Sequence, residues 1–330
     1  MSANFDEILK LLQQYSKEEL QSIFDIAMDA ARPDSSKPAR GKCPYCKSEH
    51  IIYFGFKNGK QRFRCKECKR TFITTTNTVM SCSHYGIDVW ESMLEHTLKG
   101  YSLPFSEKEL GLSHQAAFNM RHKLLLAMQD NREENPCILS DVSELDETFV
   151  LDCYKGHKLP ETVTRPARKH GAKTQKRGIS NEYICICTGV QRKSDVFIES
   201  VNRAKPSSDE LKKVYSGHIE SGTLILTDGL RSYSVLEELT DCSIKNVELE
   251  KSRFYNLNTV NNLHLFIKKR YVYYRGVATK YLNRYCAAFA EAYRYTEEAF
   301  QRIKCKLFGL GNVLKSHGLD DIRALNLLVL

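Results

Sequence analysis

The sequence predicts an α/β (α+β) protein with a mixed sheet, preceded by a small cysteine-rich module. Two Cys-x-x-Cys pairs lie within residues 43–68, and helical periodicity follows at 86–130. From 143 onward, short apolar runs typical of strands alternate with helical segments. This order indicates a sheet covered by helices and preceded by a separate module.

The length of 330 residues allows several domains. We predict five regions: N-terminal helices at 1–33, a cysteine-rich module at 42–80, a helical hairpin segment at 86–130, a core of strands and helices at 143–300 and a tail at 301–330.

Charge and composition exclude several classes of protein. The net charge is +9, and basic residues concentrate at 41–80 and 155–178, which favours a polyanionic partner. Solvated faces that only maintain solubility are the alternative. No apolar run approaches the roughly 20 residues of a membrane span, and no signal-peptide pattern stands at the start. Zinc ligands and buried thiols explain the 12 cysteines better than disulfides do, so we expect a cytoplasmic, nucleoid-associated protein.

The paired cysteines predict a metal site. Cys43, Cys46, Cys65 and Cys68 have the number and spacing of a tetrahedral zinc site. Alternating residues at 51–54 and 61–64 predict hairpin strands, with Asn58-Gly59 as the turn. The sequence therefore predicts a zinc ribbon.

The next segment predicts a helical hairpin. Ser106 and Glu109 have the spacing of a capping box, Gly111 interrupts, and Ser113 can cap a second helix. A polar second helix favours a helix-turn-helix, although any helical hairpin has a similar pattern. The predicted DNA contacts on this helix are Gln115, Asn119, Arg121 and Lys123.

The order of elements predicts the fold of the core. Three strands come first, and helices and strands then alternate, which is the order of a ribonuclease H-like fold. The predicted strands are 145–153, 183–190, 196–201, 223–228 and 242–249, and the predicted helices are 207–218, 231–239, 258 onward and 279–308.

Two aspartates predict a catalytic metal site. Asp146 lies on the first core strand and Asp228 ends the fourth, and we expect each carboxylate at a strand tip. Two carboxylates on adjacent strands repel each other unless a divalent cation lies between them. Mg²⁺ or Mn²⁺ suits such oxygen-rich sites and supports in-line phosphoryl displacement. Alternatively, Asp228-Gly229 is only a turn and Asp146 an edge residue.

The helix from 258 predicts a third group. Asn261 and Lys268 share a face, with His264 beside them. An Asn oxygen can bind a metal, and a Lys can bind a phosphate. An ordinary amphipathic helix with outward polar residues fits the spacing equally well. The residues expected to pack against the sheet are Val260, Leu263, Phe266 and Ile267.

Several of these segments together resemble a known family. They are the ribbon, Leu145-Asp-Glu-Thr, Leu226-Thr-Asp-Gly, and 258–285 with Arg275-Gly-Val-Ala-Thr-Lys-Tyr-Leu282. Over about 40–300 the chain resembles bacterial insertion-sequence transposases of the DDE superfamily that carry an N-terminal zinc ribbon.

The resemblance implies roles for individual residues. Asp146 and Asp228 would be the first two catalytic acids, and Asn261 would hold the third position, as in a branch with Asn in place of glutamate. Lys268 would be the lysine that follows the third acid. Whether Asn261 or His264 supplies the third metal ligand stays open.

The expected activity is DNA transposition. Such an enzyme binds its element's terminal repeats, cleaves a strand and transfers it to target DNA, using structural Zn²⁺ and catalytic Mg²⁺ or Mn²⁺, as a homo-oligomer on DNA. The alternatives are a catalytically decayed zinc-ribbon regulator and a metal-dependent nuclease without strand transfer. Further predicted DNA contacts are Lys155, Lys158, Arg168, Lys169, Lys173, Lys176, Arg177, Lys268 and Lys269.

Overall fold

The structure is a computed structural model and divides the chain into two compact units, Met1–Thr76 and Asn77–Leu330. The predicted helices at 1–33 and most of the tail at 301–330 lie outside the described residues. Those residues are 41–57, 59–156, 158–159, 161, 163, 174, 177–192, 195–248, 254–293, 297–308 and 322.

The first unit contains a three-stranded antiparallel sheet. Its strands are β1 (Ile51–Lys57), β2 (Lys60–Cys65) and β3 (Thr71–Phe72), in the order β1-β2-β3. Gly59 takes a φ of +73° in the turn, a left-handed conformation that glycine adopts without strain. Ile51 and Phe63 are buried with the cysteines and form the small core. The predicted hairpin strands are therefore confirmed.

Three helices open the second unit: α1 (Ile87–Lys99), α2 (Leu103–Leu110) and α3 (His114–Glu134). Ser113 caps α3 as predicted, with its hydroxyl accepting from the Ala116 N–H at 3.2 Å. The predicted capping box at Ser106 is wrong, because Ser102 caps α2 and Ser106 lies buried within that helix. Ser106 serves instead as a hydrogen-bond acceptor for the buried Arg121.

A five-stranded mixed sheet forms the centre of this unit. Its strands are β4 (Val142–Leu151), β5 (Tyr183–Gln191), β6 (Val196–Arg203), β7 (Leu224–Thr227) and β8 (Ser243–Asn246). Their order is β6-β5-β4-β7-β8, with antiparallel pairing from β4 to β6 and parallel pairing from β4 to β8. This is the ribonuclease H-like arrangement, and the predicted fold class is confirmed.

Helices cover both faces of the sheet. The remaining helices are α4 (Ser208–Tyr215), α5 (Val235–Leu239), α6 (Asn258–Tyr273), α7 (Leu282–Tyr293) and α8 (Glu297–Phe308). Val150 of β4 belongs to the core cluster that contains residues of α1, α3, α6 and α7, whereas Leu145 belongs to the cluster with α4 and α5. Since side chains alternate along a strand, Glu144 and Asp146 face α6, and Glu147 faces the opposite side.

Among the described residues, no helix has both the length and the apolar character that crossing a membrane requires.

Candidate active site

Asp146 lies on β4, and Asp228 directly follows the neighbouring parallel strand β7. The register pairs Glu144 of β4 with Leu226 of β7, so Asp146 lies near the end of β7, where the charge of Asp228 acts on it. The expectation that Asp146 lies at a strand tip is wrong. It lies in the middle of β4, which is longer than β7, and it meets Asp228 because β7 ends early.

The Asp146 carboxyl is held in a partly desolvated position. Its side chain is 19% exposed, and its Oδ1 accepts from the Glu147 N–H at 2.8 Å. Burial raises the pKa of Asp146 to about 6, and the charge of Asp228 adds to that effect, against the Glu147 N–H and Lys268. An ionised Asp146 is therefore short of compensating positive charge, which is the condition that a bound cation relieves.

Asp228 follows β7 in a tight turn. Its Oδ1 accepts from the Leu230 N–H at 3.1 Å, and Gly229 has a φ of +88°. A Cβ on Gly229 would stand 2.0 Å from Nδ2 of Asn246, so this position admits only glycine. The Asp-Gly segment is thus a turn, as the alternative predicted, and the same turn presents an exposed carboxylate beside Asp146.

His264 is buried between β5 and Asp146. Its Nε2 lies 2.8 Å from Oγ1 of Thr188, and that hydroxyl donates its proton to the backbone carbonyl of Asp146 at 2.7 Å. The threonine proton is thereby used, so we assign the hydrogen on His264 to Nε2. Nδ1 then points its lone pair toward Oδ2 of Asp146, 3.7 Å away. Burial and then the charge of Lys268 lower the pKa of His264 to about 4, which keeps this ring neutral.

The two other predicted residues of α6 are solvent-facing. Asn261 in the first turn and Lys268 two turns later are both exposed. Lys268 is close enough for its charge to act on the pKa values of Asp146 and His264. The structure thus brings Asp146, His264 and Lys268 together, and Asn261 is exposed in the first turn of the same helix.

Sequence reasoning missed Glu144. Its carboxylate is completely buried and accepts from the backbone N–H groups of Thr259 and Val260, at 2.9 and 3.0 Å. The Thr259 hydroxyl and Nε of Arg192 donate to its other oxygen, at 2.9 and 2.8 Å. A glutamate on a strand gives no signal of such contacts, because its partners are more than 40 residues away.

A second buried acid lies behind the site. Glu147 is on the opposite side of β4, and burial together with the charges of Asp146 and Asp228 raises its pKa to about 7. It faces the cluster with α4 and α5 and does not share the face on which Asp146 meets His264.

The four predicted cysteines converge. Their sulfur atoms all lie within 4.8 Å of one another, and among the described residues no other group of three or more His, Cys, Asp or Glu side chains does so. Lys47 and Lys69, each directly after a Cys-x-x-Cys pair, take left-handed φ values of 62° and 61° and turn the chain so that each pair meets. Burial opposes ionisation of Cys65, but hydrogen bonds from the backbone of Cys68 and Glu67 prevail and lower its pKa to about 6. This cluster can hold a metal ion.

The predicted DNA contacts on α3 differ in accessibility. Gln115 is exposed, and its amide donates to the half-buried Asn119 at 2.8 Å. Lys123 is half-buried and donates to the Ser81 carbonyl at 2.6 Å. Arg121 is 1% exposed, with its guanidinium over the Tyr274 ring, so the structure does not support it as a DNA contact. Most of α3 packs into the core, and a charged residue gives no sign of such burial in the sequence.

The predicted contacts outside α3 are exposed wherever they are described. Lys155 donates to the carbonyl of Arg275 at 3.1 Å. The exposed predicted contacts are Lys155, Lys158, Arg177, Lys268 and Lys269. Arg168, Lys169, Lys173 and Lys176 lie outside the described residues.

With this geometry in place, comparison with known proteins identifies the central region. Residues 138–296, which contain the sheet and α6, match the family model of the ISXO2-like transposase domain. This region is similar to a transposase domain. The resemblance to insertion-sequence transposases is therefore confirmed.

Individual proteins match the chain at low sequence identity. The chain is 25% identical over 262 residues to the uncharacterized protein in transposable element ISH50 of Halobacterium salinarum, which covers 75% of this chain and 83% of that protein. A structure of the pre-cleavage Mos1 transpososome covers 69% of this chain and 80% of its own at 12% identity, with a TM-score of 0.27. The Mos1 mariner paired-end complex with Mn covers 66% and 75% at 14% identity, with a TM-score of 0.26.

Proposed function

We propose that this transposase domain is an active DNA strand-cleaving and strand-transferring enzyme, with Asp146 and Asp228 at its metal site. The observation that supports the proposal is the register that brings Asp146, which is partly desolvated, to the end of β7, where Asp228 follows and its charge acts on Asp146. Hard oxygen donors in this arrangement suit Mg²⁺ or Mn²⁺. The match of this region to a transposase domain supports DNA as the substrate.

The residues present fit a divalent cation. The pKa of Asp146 is raised by burial and by Asp228, so holding both carboxylates ionised without a cation costs free energy. Asp146 and Asp228 would be the carboxylate ligands, and α6 would supply a third donor from His264 Nδ1 or the Asn261 amide. When bound, such ions lower the pKa of an attacking hydroxyl or water and stabilise the leaving oxygen in phosphoryl transfer.

The chain's own residues would perform the remaining tasks. Lys268, exposed beside the acids, would bind a phosphate oxygen and fix the strand against α6. Thr188 and Glu147 N–H orient His264 and Asp146, so neither side chain must reorganise on binding. Exposed lysines and Arg177 beyond the site would bind the DNA backbone without selecting a sequence.

The cysteine cluster would bind Zn²⁺. Four converging sulfur atoms with at least one acidified thiol are the donor set of a structural zinc site. The ribbon, basic and rich in exposed aromatic residues, would contribute to binding of the terminal repeats. Since transposition joins two element ends, we propose that the working form is at least a dimer on DNA.

The test uses DNA that flanks the gene. Purified zinc-loaded protein is incubated with Mn²⁺ and a plasmid carrying the gene with its natural flanks, and the ends of the products are mapped. Cuts at two fixed flanking positions that leave 3′ hydroxyls, followed by joining to a second plasmid, are the expected result. Cuts without joining would indicate a nuclease, and specific binding without cuts would indicate a regulator.

A further inference from the structure

Glu144 makes an unusual cap on α6. The residue at the N-cap position of this helix is Leu257, which has no side-chain acceptor to offer. The first N–H groups of a helix lack partners within the helix and carry its positive dipole end. The carboxylate of Glu144, which belongs to β4, accepts from two of them, Thr259 and Val260.

The remaining bonds to Glu144 fasten the chain that leads into the helix. Arg192 donates from Nε to Glu144, and its other nitrogens donate to the carbonyls of Phe254 and Asn256, at 2.8 and 3.2 Å. Thr259 contributes a second donor, its hydroxyl, at 2.9 Å. The start of α6 is thereby tied to β4 through one fully buried carboxylate.

This tie sets the register of the helix against the strand. From Glu144 to Asp146 the strand advances about 7 Å, and from Thr259 to His264 the helix advances about 7.5 Å. These similar advances allow the second contact, His264 against Asp146, once the first is made. A third contact, from the Tyr271 hydroxyl to the Leu151 carbonyl at 3.0 Å, continues the alignment.

We propose that Glu144 is a positioning residue of the metal site: by capping α6 from β4, it holds the third donor of that helix against Asp146. The inference depends on the proposed function, because it concerns the same cation site. Glu144 itself is completely buried and would touch neither the cation nor the DNA. It acts through the placement of the first turns of α6, where Asn261 and His264 lie.

The test compares two buried acids that are each ion-paired, one on β4 and one just beyond its end. Asp152, directly after β4, is 2% exposed and pairs with Arg203 at 3.2 Å, at the end of the strand away from the cap. Glu144→Gln and Asp152→Asn each remove one buried charge. Binding of Mn²⁺ to the zinc-loaded full chain is measured by electron paramagnetic resonance of the free ion.

Glu144→Gln should raise the Kd for Mn²⁺ by about 10- to 100-fold, as loss of an outer-shell partner does. It should also speed amide exchange across residues 257–266. Asp152→Asn should leave both quantities near wild type, although it too lowers the melting temperature. Equal effects of the two variants on Kd, or an unchanged Kd in Glu144→Gln, would overturn the proposal.

A milder variant covers the case in which Glu144→Gln does not fold. Thr259→Val removes a single donor and should raise the Kd by a smaller factor while the backbone cap remains; an unchanged Kd here would overturn the proposal. Failure of the proposed function gives a different result. In that case wild type shows no Mn²⁺ binding that depends on Asp146 and Asp228.

Discussion

Nδ1 of His264 lies 3.7 Å from Oδ2 of Asp146, on the face of β4 that meets α6. This separation is too long for a hydrogen bond. Because Thr188 fixes the proton of His264 on Nε2, the nitrogen that faces Asp146, Nδ1, carries a lone pair.

Two substitutions of His264 separate the roles of its nitrogens. His264→Asn keeps a donor atom near the Nδ1 position, whereas His264→Gln keeps an amide near the Nε2 position, next to Thr188. If Nδ1 is a ligand, Mn²⁺ affinity should fall by about tenfold or more in the Gln variant and less in the Asn variant. Calorimetric titration measures both. A Gln variant with wild-type affinity would show that the ring only packs.

Metal binding should depend on pH through Asp146. Its pKa of about 6 means that below this pH a cation must displace a proton, so affinity should fall about tenfold per pH unit. Without a cation, the contribution of Asp146 to folding stability depends on pH in the opposite direction. The folded state holds this proton more tightly than the unfolded state, so the stability that this group contributes is present below pH 3.8 and lost as pH rises through about 6.

The measurement is the shift of melting temperature on adding Mn²⁺, from pH 5 to 8. The shift should grow up to somewhat above pH 6 and then level off. Asp146→Asn should show no pH-dependent shift. A Mn²⁺-induced shift that is constant over this range would contradict the assignment of Asp146 as a ligand.

Removal of zinc should unfold the ribbon selectively. Among the described residues, the core of the ribbon is Cys43, Ile51, Phe63 and Cys65, with Cys68 and Phe72 partly buried. A metal held by the cysteines would therefore supply much of its folding free energy. Elemental analysis should give one zinc per chain, and Cys65→Ser should abolish it. If the native protein contained no zinc and these thiols were freely alkylated, the assignment of a metal site would be wrong.

Arg121 should affect stability rather than DNA binding. Its buried guanidinium donates to Ser106 at 3.0 Å and lies over the Tyr274 ring, so Arg121→Ala should cost about 2–4 kcal/mol. Lys269→Ala, at an exposed site, should leave stability unchanged and reduce the salt dependence of DNA affinity. Thermal unfolding and filter binding are measured for both variants. If Arg121→Ala weakened DNA binding without lowering stability, α3 would belong to the DNA interface.

The sequence predicted the fold because the signals of its strands and helices are local. Apolar runs locate β4 and β7, and parallel pairing of these strands brings Asp146 near the end of β7, which Asp228 follows. The predictions that failed concern positions that tertiary contacts determine. Asp146 is not at a strand tip because β7 is shorter than β4, and Arg121 is buried because Ser106 and Tyr274 accommodate it. Glu144 carries no local signal, since its partners on α6 reach it only after the chain folds.

The central claim is that Asp146 and Asp228 together hold the divalent cation that DNA cleavage requires. The most direct test measures Mn²⁺-dependent nicking of the plasmid with the natural flanks by Asp228→Asn, alongside its DNA affinity. We predict that nicking falls by at least about 100-fold while DNA affinity stays within about twofold, because the lost ligand acts on the transition state. Nicking at the wild-type rate would contradict the account.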